Sequence, residues 1–388
     1  MSLPVPPMGD AASQACRAST LLLHALRSPQ ELRGLSPAEW DLLIRLARHA
    51  RVLGRVEADL ARTGGLGAVP ERAANHLRSA RNLVRHRQTL LAWELNRVAW
   101  ALNGLDVPLI VLKGAAYVQA RLPAAQGRLF ADLDLLVAES RLDEVEKTLL
   151  GRGWYRMPLD PYDERYYRTW MHEIPPLRHR ERETEVDTHH AILPRTSRLN
   201  PSASLLISAA RPLSDPRLRV LAPTDMVLHA LVHLFLEGDP QEGLRFRDLL
   251  DVHDLLQHFG QERAFWSELG PRARELSLER PLYYGLRFAR RLLGREIPEE
   301  VLRDAQSGAP PWPMRALMDR LVPLAVLPEH PDHMRRRAAI ARWLIYTRAH
   351  WLRMPPALLI RHLAYKAWLR LRGREKKGAV VPQIPKQL

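Results

Sequence analysis

The chain has 388 residues, 46% of them hydrophobic, with one cysteine and a net charge of +15. This composition fits a globular protein and excludes a disordered, collagen-like or disulfide-stapled chain. Cys16 has no second cysteine for a disulfide, a CxxC pair or a thiolate zinc site, so a reducing, cytoplasmic compartment is expected.

No run approaches the roughly 18 consecutive apolar residues of a membrane span. The opening MSLPVPPMGDAASQACRASTLLLHAL lacks the basic n-region of a secretory signal. The positive charge is concentrated: Pro331 to Leu388 carries 14 Lys and Arg against Asp332 and Glu375, while residues 1–330 net only +3. Such a tail suits RNA or an anionic membrane surface, which would make the protein peripheral to the membrane without spanning it.

In chain order, Trp40, Leu43, Ile44, Leu46 and Ala47 recur at helical spacing behind Ser36 as N-cap and Pro37 in the first turn. A break at 63–67 (TGGLG) is followed by one or two helices over Val69–Asn103. At Val107 the period changes: VPLIVL reads as a buried strand stopping at Lys113 and Gly114, followed by a helix over Ala115–Leu122. The stretch Leu129–Val137 contains FADLDLLV, a second strand. Ser140 and Asp143 open a helix to Leu150, Tyr155–Met157 starts a strand, and Glu173–His179 with Glu185–Leu193 reads as a hairpin. After Pro194 the pattern is helical, with segments Met226–Glu237, Leu244–Phe259, Met334–Leu352 and Ala357–Leu371, and a proline-rich hinge at Pro310, Pro311 and Pro313. The expected architecture is α+β: a small mixed sheet of about five strands at 104–195, between helical regions 1–103 and 196–330, with a basic helical tail at 331–388.

Asp132 and Asp134 alternate with Leu133 and Leu135, so both carboxylates leave one face of their strand about 7 Å apart, close enough to share divalent cations. Such oxygen ligands suit Mg²⁺ or Mn²⁺, which bind one or two carboxylates plus substrate phosphates. Asp187 in EVDTH is the third acid, either a metal ligand and proton acceptor or a hairpin acid paired with Arg178 or Arg180; Glu185 is the reserve. Lys113, Gly114 and Arg128 are placed to contact phosphate oxygens, although for Lys113 and Arg128 a surface base is an equal alternative. His189 and His190 are candidates for an acceptor pocket. His229, His233, His253 and Asp248 have zinc-like spacing but read better as interior hydrogen-bonding groups, since no HExxH accompanies them.

The order of strand, KG turn, helix, DLDLLV, helix and acid-bearing hairpin resembles the DNA polymerase beta type nucleotidyltransferase superfamily. LIVLKGAAYVQARL, GRLFADLDLLV and VDTHHAI look more narrowly like the bacterial uncharacterised nucleotidyltransferase family. SPAEWDLLIRLARHARVLG, PTDMVLHALVHLFLEG and LRFRDLLDVHDLL extend the resemblance to about residues 20–260. It implies a metal-dependent nucleotidyltransferase with a mixed-sheet core, metal ligation at Asp132, Asp134 and Asp187, phosphate contact at Gly114, and a nucleoside triphosphate, expected to be ATP, as donor to an unidentified hydroxyl acceptor. The chain departs from the superfamily's Gly-Gly or Gly-Ser turn, having Ala115 after Gly114. The alternatives are therefore a catalytically inactive nucleotide-binding protein, or an RNA or membrane-surface interaction protein anchored by the tail. For Ala357–Leu371, with Arg361, His362, Lys366 and Arg370 opposite Leu358, Leu359, Leu363 and Trp368, packing on the body is favoured over attachment to membrane or RNA.

Overall fold

Ser36 opens the Pro37–His49 helix with a reciprocal cap. Its hydroxyl accepts the Glu39 backbone N–H at 3.3 Å, and the Glu39 carboxylate accepts the Ser36 N–H at 2.8 Å, an arrangement worth about 1 kcal/mol. The helix buries Trp40, Leu43, Ile44, Leu46 and Ala47, the residues whose spacing announced it. After the glycine break, Glu71–Ala101 forms a single 31-residue helix lying beneath the sheet. The computed structural model describes residues 11–237, 244–333, 335–361 and 365, so most of the expected helix Ala357–Leu371 and the polar end after it lie outside the described residues.

The fold is α+β, with helices flanking a mixed sheet. Its strands are β1 Leu109–Val111, β2 Asp132–Leu136, β3 Trp154–Arg156, β4 Leu177–His179, β5 Glu185–His189, β6 Arg211–Pro212 and β7 Leu218–Val220, in the order β3-β4-β5-β2-β1-β7-β6. β1 is apolar throughout because it is buried on both faces between antiparallel β2 and parallel β7. β2 and β5 run parallel, with Asp132 opposite Glu185 and Asp134 opposite Asp187.

The sheet thus has seven strands instead of the expected five, since β6 and β7 lie in a stretch expected to be helical throughout. Strands of two and three residues show no alternation by which sequence could reveal them. The hairpin is also shorter than expected: β5 ends at His189, and Glu173 contributes only a bridge to His189. Between β3 and β4 an unforeseen helix, Pro161–Trp170, is capped by Asp160, which accepts the N–H groups of Tyr162 and Asp163 at 2.9 and 3.0 Å.

One continuous apolar core runs from Leu22 to Ile345. The Arg336–Arg353 helix belongs to it through Ala341 and Ile345, and it packs against the Trp312–Val326 helix, which Pro311 and Pro313 open. Beyond it, Met354 and Leu359 close over Tyr166, and the Tyr365 ring stacks on Tyr162 at 4.1 Å. The C-terminal segment therefore lies on the helix that leads into the site described next. Among the described residues, no helix is long and apolar enough to cross a membrane.

Candidate metal and nucleotide site

The β2–β5 register assembles three carboxylates on the central strands of the sheet. One oxygen from each of Asp132, Asp134 and Asp187 lies within 4.8 Å of the others. Asp134 is buried, while Asp132 and Asp187 are half-buried, so the cluster opens towards solvent at Asp132. Of the two readings left open for Asp187, pairing with Arg178 belongs to its neighbour: Arg178 is bound by Glu185, its register partner across β4 and β5. Asp187 Oδ1 is buried with no hydrogen-bond partner among the described residues.

That orphaned oxygen matters because an unpaired buried carboxylate is expensive to keep ionised. Burial pushes the Asp187 carboxyl well above the usual carboxylate range, and Glu173, Asp132 and Asp134 push it further. Asp134 behaves oppositely. Burial would raise it, but Lys113 Nζ at 2.8 Å and His189 Nε2 at 3.0 Å, both on Oδ1, hold it far below that range. Lys113 is disfavoured as a cation by burial, yet Asp134 and Glu237 keep it charged well above its ordinary value. Its backbone sits at φ 47, a left-handed conformation rare for a side chain with a Cβ.

Gly114 and Arg128, expected as phosphate contacts, are joined in a different way. Arg128 donates from Nε to both oxygens of Asp251, at 3.0 and 2.9 Å, with Nη2 in ion-pair contact at 2.9 Å, while its guanidinium lies over the Tyr117 and Phe130 rings. A Cβ on Gly114 would fall 2.0 Å from Arg128 Nη1 and 2.3 Å from the Phe130 ring. Gly114 is therefore the space into which Arg128 and Phe130 pack, and the pair ties the turn to the Phe246–Phe259 helix.

Several site residues escaped the sequence reading. His172 and Glu173 follow the Pro161–Trp170 helix, and Glu237 ends the Pro223–Leu236 helix. Glu237 faces Lys113 at 3.9 Å, His172 at 3.7 Å and His233 at 3.2 Å; burial raises its carboxyl, but Lys113 and His233 hold it low. His233 also pairs with Asp248 at 3.1 Å. The i,i+4 spacing of His229 and His233 thus marks interior hydrogen bonding and burial. His190 Nε2 faces the Met171 carbonyl at 3.2 Å, whereas His189 is part of the carboxylate site. No periodicity marks His172, Glu173 or Glu237, because each enters from the end of a different element.

The chain offers a cluster of hard oxygen donors beside a charge-compensating lysine, an arrangement able to hold a divalent cation and the polyphosphate it accompanies. A family model described as an uncharacterised nucleotidyltransferase matches residues 36–294, well over half of the chain. No curated protein and no solved structure matches it.

Proposed function

Because the chain belongs to the uncharacterised nucleotidyltransferase family, we propose that it moves a nucleoside monophosphate from a nucleoside triphosphate, ATP being the expected donor, to a hydroxyl acceptor. The acceptor oxygen forms a bond to the α-phosphorus, the bond to the bridging oxygen breaks, and pyrophosphate leaves. The observation that carries this reading is the orphaned Asp187 Oδ1 within reach of Asp132 and Asp134. A Mg²⁺ or Mn²⁺ ion bound to Asp132, Asp134 and Asp187 would neutralise phosphate charge in the ground and transition states.

Asp187, poised by its surroundings to take up a proton, accepts the one released by the acceptor hydroxyl. Lys113 and the Gly114 turn meet the triphosphate, with Lys113 transferring part of its charge from Asp134 to phosphate. Arg128, read from sequence as a phosphate contact, is assigned instead to bracing the turn, since Asp251 already occupies its guanidinium.

The test is a thermal-shift series with each nucleoside triphosphate, with and without Mg²⁺, on wild type and Asp132→Asn, because a ligand of the native state raises the melting temperature. Mg²⁺-dependent stabilisation by a triphosphate, lost in the variant, supports the site. Binding without pyrophosphate release in the presence of candidate acceptors would return the inactive, nucleotide-binding alternative. No shift with any triphosphate would sink both.

A second reading, attachment to an anionic membrane surface, rests on one surface feature. Eight of the ten large exposed apolar side chains among the described residues fall between 312 and 360, including Trp312, Leu317, Ile340, Trp343, Trp351 and Ile360. They share that region with Arg336, Arg337 and Arg361, and the basic sequence continues beyond it. Exposed apolar side chains interspersed with arginines suit an anionic headgroup layer. The full chain is expected to sediment with phosphatidylserine vesicles and not with phosphatidylcholine vesicles, and Trp312→Ser/Trp343→Ser to weaken this. Equal sedimentation of wild type and variant, or binding to RNA alone, would contradict it.

A further inference from the structure

Behind the carboxylates lies a second group of donors of different chemistry. His172, Glu173 and His189 each offer a ligand atom within 4.8 Å of the others. His172 and His189 are 4% and 1% exposed, and the Nδ1 atom of each ring is buried with no hydrogen-bond partner among the described residues. The Nε2 atoms face carboxylates: His189 Nε2 is 3.0 Å from Asp134 Oδ1, and His172 Nε2 is 3.7 Å from Glu237 Oε1. On the other side of the His189 ring, Nδ1 lies 3.4 Å from Glu173 Oε2, beyond hydrogen-bonding geometry but within the space of a shared ligand.

Metal-binding histidines are commonly oriented in this way, with one ring nitrogen on the metal and the other held by a carboxylate. We propose that His172, Glu173 and His189 form a nitrogen-donor site for a transition-metal ion, Zn²⁺ being the chemistry that fits best, separate from the all-oxygen site of Asp132, Asp134 and Asp187. Two imidazoles and one carboxylate make a three-ligand zinc set with a fourth position open, and imidazole donors disfavour Mg²⁺. Zinc bonds of about 2.0–2.1 Å place tetrahedral donors roughly 3.4 Å apart, the separation His189 Nδ1 and Glu173 Oε2 already have, so the remaining pairs close by at most about 1.4 Å on binding. Burial, and then His189, hold the His172 imidazole well below its ordinary titration range, so it is the neutral, ligating form at pH 7. Glu173, with 16% of its side chain exposed, provides the entry. An ion there ties the Met171–Glu173 segment to β5 and fixes the ring that orients Asp134, coupling the site to the C-terminal segment packed on Trp170 and Met171.

The experiment is a competition titration of the full chain with Zn²⁺ against a chromophoric chelator, with metal content measured by mass spectrometry. Wild type, Glu173→Gln, His172→Ala and Asp132→Asn are compared, each checked for folding by circular dichroism. The expected result is one Zn²⁺ per chain, held about 100-fold or more weakly in Glu173→Gln and His172→Ala, unchanged in Asp132→Asn and not displaced by Mg²⁺. Should His172→Ala fail to fold, the near-isosteric Glu173→Gln decides. Zinc affinity equal in wild type and Glu173→Gln overturns the proposal, as does zinc binding lost in Asp132→Asn. Because Asp132→Asn removes the triphosphate response and leaves zinc in place, failure of the nucleotidyl-transfer reading and failure of this one are told apart.

Discussion

Replacing Gly114 by Ala adds one methyl group, yet the structure makes it a severe change. The new Cβ would lie 2.0 Å from Arg128 Nη1 and 2.3 Å from two Phe130 ring carbons, with Gly114 itself buried. Arg128 has no easy retreat, since it makes three contacts of 2.9–3.0 Å with buried Asp251 and is flanked by two aromatic rings. If the ion pair survives, overpacking costs about 1–3 kcal/mol. If Arg128 is expelled, Asp251 is left buried and unpaired, at roughly 3–5 kcal/mol. Urea denaturation is therefore expected to show a loss of about 2–4 kcal/mol at unchanged m-value. The mechanism is tested by repeating Gly114→Ala in an Arg128→Ala background, where the clash with Nη1 is gone and only the Phe130 ring has to shift, so that the methyl group should cost at least about 1 kcal/mol less. A single-mutant loss below about 0.5 kcal/mol, or additivity of the two changes, would refute the claim that Gly114 exists to make space for Arg128.

Lys113→Met should lower stability in metal-free buffer by about 3–5 kcal/mol, since Asp134 and Glu237 lose their shared cation; a loss within 0.5 kcal/mol would return Lys113 to the status of a surface base. Asp187→Asn should do the opposite, raising metal-free stability at pH 7 by about 0.5–2 kcal/mol while abolishing transfer, because the folded chain disfavours the ionised carboxylate that the unfolded chain carries freely; an unchanged or lower melting temperature would contradict the frustrated-carboxylate account. His229 carries a pH prediction. Burial and Lys113 bring its folded pKa from 6.5 down to about 3, so between those values the unfolded chain takes up a proton that the folded chain refuses. Its contribution to stability is complete above about pH 6.5 and is lost progressively as the pH falls towards 3. In urea titrations at pH 7, 5.5 and 4.5, His229→Leu should lose less stability on acidification than wild type, and parallel curves would exclude the histidine as a source of acid sensitivity.

Much of this site was readable because it is built from local patterns. Asp132 and Asp134 announce themselves by strand alternation, and an acid two residues into the VDTH strand follows the same logic. Their mutual approach depends on the parallel β2–β5 register, which only the fold can set. The Ser36 cap and the continuous apolar run of β1 were legible for the same local reason. His172, Glu173 and Glu237 were not, because they come from the ends of separate elements and share no spacing with the carboxylates. Arg128 and Gly114 were expected as phosphate contacts, and their packing on each other hinges on Asp251, more than a hundred residues away. The short strands β6 and β7 were hidden because their pairing partners, not their own residues, make them strands.

Whether the three carboxylates act together as one cation site is measured most directly by a Mn²⁺ titration followed by electron paramagnetic resonance, with ATP present. Wild type is predicted to take up Mn²⁺, and Asp132→Asn, Asp134→Asn and Asp187→Asn each to lose that uptake while remaining folded. Equal Mn²⁺ binding by wild type and all three variants would contradict it.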